Sequence, residues 1–230
     1  MDTPQERIIV SVGGSLIVPG GVDTGFLIRL RDLVTQKVNE GFSFYIITGG
    51  GKLSREWRDA ALAINPEVSN EQMDYVGIAA TRTNAELVRS IFAGYDIPSI
   101  ILDVREPITS TSPIVIAGGL APGWSTDYCA VLAAKATGAK KLVNLSNIDY
   151  VYTADPRTDS DAVKIEKTSW ADFRKLIPDE WNPGLSSPFD PVAAKEAESL
   201  GLEVVVMNGS DLSRFADYLE GKPFVGTVIS

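Results

Sequence analysis

Three hydrophobic segments of the chain each run directly into a glycine pair or triplet. They are Ile8–Val12 before Gly13-Gly14, Phe44–Thr48 before Gly49-Gly50-Gly51, and Ile114–Ala117 before Gly118-Gly119. Such runs are typical of buried strands in a parallel sheet, whose carboxyl ends share one edge. Ligands of these sheets bind in the crevice outside that edge, where glycine lets the backbone approach closely. The pattern predicts one site that holds several phosphates through backbone N–H groups.

Strand and helix patterns alternate along most of the chain. The sequence predicts strands over 7–12, 43–48, 99–102, 113–117, 140–146, 202–207 and 224–229, and helices over 24–40, 52–64, 70–94, 125–137, 169–176, 191–200 and 211–220. A hairpin or loop is expected over 148–166, and a loop over 178–191. This order of elements predicts a three-layer α/β/α sandwich with a mainly parallel central sheet. We interpret residues 1–230 as a single domain with a boundary between two lobes near residue 139.

The composition excludes several classes of chemistry. The 230 residues include no histidine, a single cysteine (Cys129) and a net charge of −9. A Ser-His-Asp triad, a histidine-ligated zinc and an intrachain disulfide are therefore excluded. The negative charge without a basic run argues against nucleic acid and anionic membranes as partners, and the lack of a long apolar span favours a cytoplasmic protein. Phosphoryl transfer fits this inventory, because it depends mainly on positioning and charge stabilisation.

Five further motifs carry a resemblance to a known family. They are Thr48–Arg55, Asp74–Ile78 with Thr81–Ala85, Pro122–Asp127, Asn147–Asp149 with Val151–Pro156, and Asp190–Lys195. In order and spacing the chain resembles the amino acid kinase superfamily, and within it the archaeal-type uridylate (UMP) kinases. The resemblance implies transfer of the ATP γ-phosphate to UMP, giving UDP in pyrimidine nucleotide biosynthesis, with Mg²⁺ bound mainly through ATP and no dedicated metal ligand. It also implies a homo-oligomer, a hexamer built as a trimer of dimers.

The resemblance makes residues 1–139 the acceptor (UMP) lobe. Within it, Gly49, Gly50 and Gly51 would cradle the UMP phosphate, Arg55 would add a guanidinium, Asp74 would bind the ribose, and Thr126 would contact the phosphate. Arg82 either faces the acceptor or pairs with an acid at a subunit contact. By residue pattern alone, Asp74 is an exposed helical carboxylate, and Ser125, Thr126 and Asp127 form a helix N-cap.

The remaining implied roles concern catalysis and ATP. Gly13, Gly14 and Ser15 would hold the transferring phosphoryl group through backbone amides, Asp127 would organise the catalytic charges, and Lys52 and Lys195 are the candidate cations. Residues 140–230 would form the ATP lobe. ATP binding is assigned to Gly13, Gly14, Asn147, Asp149, Tyr152 and Asp155.

Two positions depart from the family pattern. Ser11 stands where many amino acid kinases carry lysine, and Tyr150 stands where the family usually has glycine. These departures keep two alternatives open. One is a kinase of the same fold for another small phosphate or carboxylate acceptor, and the other is a non-catalytic nucleotide-binding protein.

Overall fold

The computed structural model describes residues 7–178 and 187–230. Its strands are β1 (Arg7–Val12), β2 (Ser43–Thr48), β3 (Ile114–Ala117), β4 (Lys141–Ser146), β5 (Val151–Tyr152), β6 (Lys164–Ile165), β7 (Lys167–Thr168), β8 (Glu203–Asn208) and β9 (Thr227–Ile229). Its helices are α1 (Gly14–Ile17), α2 (Thr24–Asn39), α3 (Gly51–Ile64), α4 (Asn70–Ile91), α5 (Thr126–Thr137), α6 (Trp170–Phe173), α7 (Pro191–Ser199) and α8 (Ser213–Leu219).

A seven-stranded sheet in the order β3-β2-β1-β4-β8-β9-β7 forms the centre of the molecule. The five strands from β3 to β8 run parallel, β9 pairs antiparallel with β8, and β7 runs parallel to β9. Strands β5 and β6 form a separate antiparallel hairpin. The predicted mainly parallel sheet is therefore confirmed, and the carboxyl ends of its five parallel strands share one edge.

Helices cover both faces of this sheet. Alternate strand residues such as Ile9 and Tyr45 pack with α5, α6 and α7, whereas their neighbours Val10 and Ile46 pack with α1, α2, α4 and α8. Side chains of a strand alternate between faces, so strands with apolar residues at every position can only be buried on both sides. The arrangement confirms the three-layer α/β/α sandwich.

Side-chain caps fix where the helices at the functional edge begin. The Ser125 hydroxyl accepts the Tyr128 N–H at 3.1 Å, and the Asp190 carboxylate accepts the Ala193 N–H at 2.7 Å. These caps satisfy N–H groups that have no partner within the helix. The predicted cap at Ser125 is thus confirmed, and α5 and α7 begin directly beside the sheet edge.

Several predicted elements differ from the structure. The predicted strand over 99–102 is wrong: the Ile101 N–H donates to the Ile116 carbonyl at 2.7 Å, and only one isolated bridge pairs Ile101 with Ala117. Pro98 has no N–H to donate and limits pairing at this sheet edge. The pattern missed α1 and β7, and the short helix ends at Phe173. The hairpin within 148–166 is confirmed, whereas residues 179–186 of the predicted loop lie outside the described residues.

Across residues 7–178 and 187–230, no helix combines the length and the apolar character that crossing a membrane would require.

Candidate active site

The glycine turns after β1 and β2 pack directly against each other. The Gly49 N–H donates to the Val12 carbonyl at 2.9 Å and so links the two turns. A Cβ atom on Gly14 would overlap the backbone nitrogen of Gly51, and one on Gly49 would lie 2.5 Å from the Gly14 nitrogen. Gly51 also has a φ of +62°, a conformation that favours glycine. We call these two turns, Gly13–Ser15 and Gly49–Gly51, the glycine junction.

Four N–H groups of the glycine junction have no hydrogen-bond partner in the described part of the chain. They belong to Gly14, Ser15, Gly50 and Gly51. They lie at the starts of α1 and α3, where the first N–H groups have no partner within the helix and the helix dipole favours negative charge. Such a cluster of donors is suited to phosphate oxygens.

The structure corrects the role expected of Gly13. Its N–H donates to the Leu145 carbonyl at 2.8 Å, so this amide already takes part in the sheet between β1 and β4. Of the three amides expected to hold the transferring phosphoryl group, those of Gly14 and Ser15 have no acceptor among the described residues.

The third glycine turn, Gly118-Gly119, belongs to a different kind of contact. The Thr81 hydroxyl oxygen accepts the Gly119 N–H at 2.7 Å, and a Cβ atom on Gly118 would lie 2.9 Å from the same oxygen. The Arg82 guanidinium donates to the carbonyls of Gly119 at 3.2 Å and Leu120 at 3.3 Å. The Gly119 N–H is therefore not free to bind phosphate, and the glycines of this turn pack against α4; a phosphate contact of the Gly118 N–H stays a prediction.

The side chains expected to bind the acceptor lie on α3, α4 and α5. Arg55 is exposed in α3, and Thr126 is the first residue of α5. The Asp74 carboxylate in α4 accepts the Gly123 N–H at 2.7 Å and thereby ties α4 to the loop that leads into α5. This contact brings Asp74 to the loop that ends at Thr126, and the ligand roles of these three residues stay predictions.

Asp127 lies in the first turn of α5, partly buried, and faces β1. The Ser11 hydroxyl donates to its Oδ1 at 3.3 Å. Burial, together with the nearby charge of Asp190, raises the pKa of Asp127 to about 7. Asp127 therefore contacts the hydroxyl of Ser11, which stands where many amino acid kinases carry lysine.

The sequence analysis did not identify Asp190 as a candidate site residue. Its buried carboxylate caps α7, and its charge acts on Asp127 from across the site. The Asp-Pro pair before an alanine-rich helix was a usable signal, because it is typical of a helix start. Nothing in the sequence placed that helix start beside α5.

The two candidate lysines differ in burial, since Lys52 is half-buried at the start of α3 and Lys195 is exposed. The Lys52 ammonium lies 3.3 Å from the Glu56 carboxylate one turn further along α3. Lys195 is exposed on α7. The cationic roles of both residues in catalysis stay predictions.

On the donor side, Asp149 is held by two residues that the sequence analysis did not select. Its Oδ1 accepts hydrogen bonds from Arg214 Nη1 at 2.6 Å and from Asn208 Nδ2 at 3.1 Å. The Arg214 guanidinium holds the pKa of Asp149 below its ordinary value. Asn208 ends β8, so a strand end at the functional edge was the signal that could have identified it. Asn147, which follows β4, is exposed.

The β5–β6 hairpin carries the other residues assigned to ATP. The rings of Tyr152 and Tyr150 pack edge to face at 6.5 Å, and the Lys164 ammonium lies 4.9 Å from the Tyr150 ring centroid. Asp155 forms an exposed ion pair with Arg157, whose guanidinium lowers the pKa of Asp155 to about 2. Tyr150 thus forms part of an aromatic and cationic cluster, and the ATP contacts of Tyr152 and Asp155 stay predictions.

Fold and site together define a class: a mainly parallel α/β protein that presents free backbone N–H groups to an anionic ligand at the carboxyl edge of its sheet. The sequence comparison narrows this class to one family. The chain belongs to the amino acid kinase family, whose model matches residues 6–208.

Similar proteins extend over nearly the whole chain. A uridylate kinase of Pyrococcus abyssi is 34% identical over 220 residues, covering 94% of this chain and 96% of the relative. One of Hyperthermus butylicus is 33% identical and covers 90% and 91%. The crystal structure of the Archaeoglobus fulgidus uridylate kinase matches with a TM-score of 0.80 at 30% identity, covering 97% of this chain and 99% of that one. A UMP kinase structure from Ureaplasma parvum, at 19% identity and a TM-score of 0.78, shares the fold.

Proposed function

We propose that this chain is a UMP kinase, which transfers the γ-phosphate of ATP to UMP and releases UDP and ADP. The observation that carries the proposal is the glycine junction, where four N–H groups at the starts of α1 and α3 have no acceptor among the described residues. The end-to-end similarity to uridylate kinases supports UMP as the acceptor over the alternative acceptors and over a non-catalytic binder. We expect the enzyme to act in the cytoplasm, where both nucleotides are available.

We assign the two substrates to the two lobes, with residues 1–139 binding UMP and residues 140–230 binding ATP. The UMP phosphate would bind to the second turn of the glycine junction and the transferring phosphoryl group to Gly14 and Ser15. The acceptor oxygen is already ionised near neutral pH, so in-line attack needs no strong general base. This agrees with a chain that contains no histidine.

Mg²⁺ would be held mainly by the phosphates of ATP. Within residues 7–178 and 187–230, no three His, Cys, Asp or Glu side chains cluster to form a metal cage. Asp127 offers carboxylate oxygens, the ligand type that Mg²⁺ prefers, beside the glycine junction. When bound, the ion would neutralise negative charge on the phosphates.

We further propose that the enzyme is a homo-oligomer, a hexamer built as a trimer of dimers. Helix α3 buries none of its residues in the described chain, yet it carries Trp57 at 62% and Ile64 at 84% exposure. Apolar side chains concentrated on one exposed helix are typical of an interface. Light scattering after size exclusion tests this, with Trp57→Glu expected to dissociate the assembly. Val22→Glu, at a position with 51% exposure outside α3, is the matched control and should leave the mass unchanged.

The decisive experiment is an assay of ADP release with ATP, Mg²⁺ and a panel of acceptors: UMP, CMP, dUMP, isopentenyl phosphate and acetylglutamate. We expect rapid turnover with UMP. Turnover with another acceptor alone would reassign the substrate. ATP binding without turnover on any acceptor would indicate a non-catalytic binder.

Asp74→Ala tests the acceptor site directly. We expect the UMP KM to rise by about tenfold while the ATP KM stays constant, because a carboxylate that binds the ribose contributes about 1–2 kcal/mol. Glu71→Ala, an exposed acid in the same turn of α4, is the control and should change neither constant. Unchanged constants for Asp74→Ala would remove this residue from the acceptor site.

A further inference from the structure

Asn84 joins α4 to the second turn of the glycine junction. It is 2% exposed, and its side-chain amide donates to the Gly49 carbonyl at 2.8 Å and to the Gly50 carbonyl at 3.3 Å. A buried amide is costly unless it is hydrogen-bonded, and here the NH₂ group meets two backbone carbonyls.

The two carbonyls that Asn84 binds determine where two of the free N–H groups point. The described residues contain no cis peptide bond. In a planar trans peptide, the carbonyl and the N–H of the next residue point in opposite directions. The N–H groups of Gly50 and Gly51 therefore face away from Asn84, which is the orientation that leaves them without a protein acceptor among the described residues.

A turn made of three glycines does not hold one orientation by itself. Glycine populates positive and negative φ about equally, so its own backbone preference does not select one orientation of these peptides. The backbone links that the glycine junction makes to other segments include the Gly49 N–H to Val12 and the Lys52 N–H to Val18, at the two ends of the turn. Between these ends, the Gly50 carbonyl accepts the Ser54 N–H at 3.3 Å, and Asn84 contacts the carbonyls of both Gly49 and Gly50.

We propose that Asn84 is the positioning residue of the acceptor-phosphate turn: by binding the Gly49 and Gly50 carbonyls, it orients the Gly50 and Gly51 N–H groups toward the UMP phosphate. The proposal rests on the proposed function. Asn84 itself does not touch the substrate, and it acts through the orientation of two peptides.

The isosteric variant Asn84→Asp separates hydrogen bonding from packing. It keeps the volume of the side chain but replaces the donating NH₂ group with an oxygen that repels the two carbonyls. We expect the UMP KM to rise by about tenfold or more and kcat to fall, with the ATP KM within about twofold of the wild type. Asn84→Ala should likewise raise the UMP KM and leave the ATP KM nearly unchanged.

Val88→Ala is the matched control for a merely structural effect. Val88 lies one turn further along α4, is fully buried in the hydrophobic core, and makes no side-chain hydrogen bond to the glycine junction. We expect this variant to lower Tm without changing the UMP KM. If Asn84→Asp kept the wild-type UMP KM, or if Val88→Ala raised that constant equally, the proposed role of Asn84 would be wrong.

A titration with inorganic phosphate, followed through the amide resonances of Gly50 and Gly51, tests the role of Asn84 without assuming that UMP is the acceptor. We expect phosphate to shift these resonances in the wild type and several-fold less in Asn84→Asp. Equal shifts would overturn the role of Asn84 even in an active UMP kinase. A wild type that binds phosphate but does not phosphorylate UMP would instead refute the proposed function. The titration would then still decide whether Asn84 positions the turn.

Discussion

The two sides of the functional edge are built in different ways. The glycine junction is formed by backbone against backbone, with Gly14 and Gly51 too close for any side chain between them. The donor side over 147–157 is formed by exposed side chains, such as the ion pair of Asp155 with Arg157 and that of Asp149 with Arg214. One side is shaped by close packing and the other by side chains that are in contact with solvent.

This difference indicates how each side meets its ligand. Close backbone packing and the two Asn84 hydrogen bonds resist deformation, so we expect the glycine junction to hold its N–H groups in place before phosphate arrives. Exposed ion pairs contribute little to stability and exchange readily with other partners. We therefore expect the acceptor side to be preorganised and the donor side to form its final contacts when ATP binds.

The largest effect should come from Gly14→Ala. The new Cβ atom would overlap the Gly51 nitrogen, so the two turns must separate. We expect kcat/KM to fall by more than about 100-fold, because small displacements of positioning groups are costly, and the free energy of unfolding to fall by about 2 kcal/mol. Kinetics and urea denaturation measure both quantities.

Gly20→Ala is the control for this substitution. No atom lies within 4 Å of the position that its Cβ would take, so both activity and stability should match the wild type. A Gly14→Ala enzyme with near-normal kinetics would show that the glycine junction is not preorganised and would abolish the contrast with the donor side.

An intermediate effect, on the free energy of unfolding as a function of pH, is expected for Asp127→Asn. The pKa of Asp127 is about 7 in the folded protein against an ordinary value of 3.8. Between these two pKa values the folded state binds a proton that the unfolded state has released, so this group lowers stability as pH rises, by up to about 1.4 kcal/mol per pH unit. An asparagine side chain cannot titrate, and the variant should therefore gain stability relative to the wild type as the pH rises toward the folded-state pKa.

Urea denaturation at about pH 5 and about pH 8, on either side of that folded-state pKa, measures the relative gain. Asp155→Asn provides the matched control, because the pKa of Asp155 is about 2 and the group stays ionised over this range. Its difference from the wild type should not change between the two pH values. If the stability difference between Asp127→Asn and the wild type were also the same at both pH values, Asp127 would be ionised in the folded protein throughout this range.

The smallest effect should come from the donor side itself. Asp155 pairs with Arg157 in an exposed turn, so we expect Asp155→Asn to leave Tm unchanged. Loss of one polar contact to ATP should raise the ATP KM by roughly threefold and leave the UMP KM constant. A large fall in Tm would show that the exposed ion pairs stabilise the fold and would break the distinction between the two sides.

Local patterns predicted most of the elements because the responsible interactions are local. Apolar residues at helical spacing in α2, such as Phe26, Leu30 and Val34, are all buried, and the Ser125 cap begins α5 as expected. The strand over 99–102 failed because its pairing depends on a neighbouring edge strand, and that pairing reduces to one bridge at Ile101. Helix α1 was missed because four residues between glycines and a loop carry no periodic signal.

The candidate site was predicted in part. The glycine turns after β1 and β2 were identified correctly as neighbours, since parallel strands place their carboxyl ends together. The amides of Gly119 and Gly13 were assigned to phosphate from the same pattern, but a pattern does not show whether an N–H is already used. Asn84, Asp190 and Arg214 were missed because each acts on a residue far away in the sequence.

The sequence by itself determined the parallel α/β architecture, the candidate ligand-binding edge and the family, because hydrophobic periodicity, glycine turns and motif order are properties of neighbouring residues. Only the tertiary structure decided which glycine amides are free, that Ser11 meets Asp127, and that Asn84 holds the turn of Gly49 and Gly50. These outcomes depend on distances between segments that are remote in the chain. They are fixed by packing, which no local pattern records.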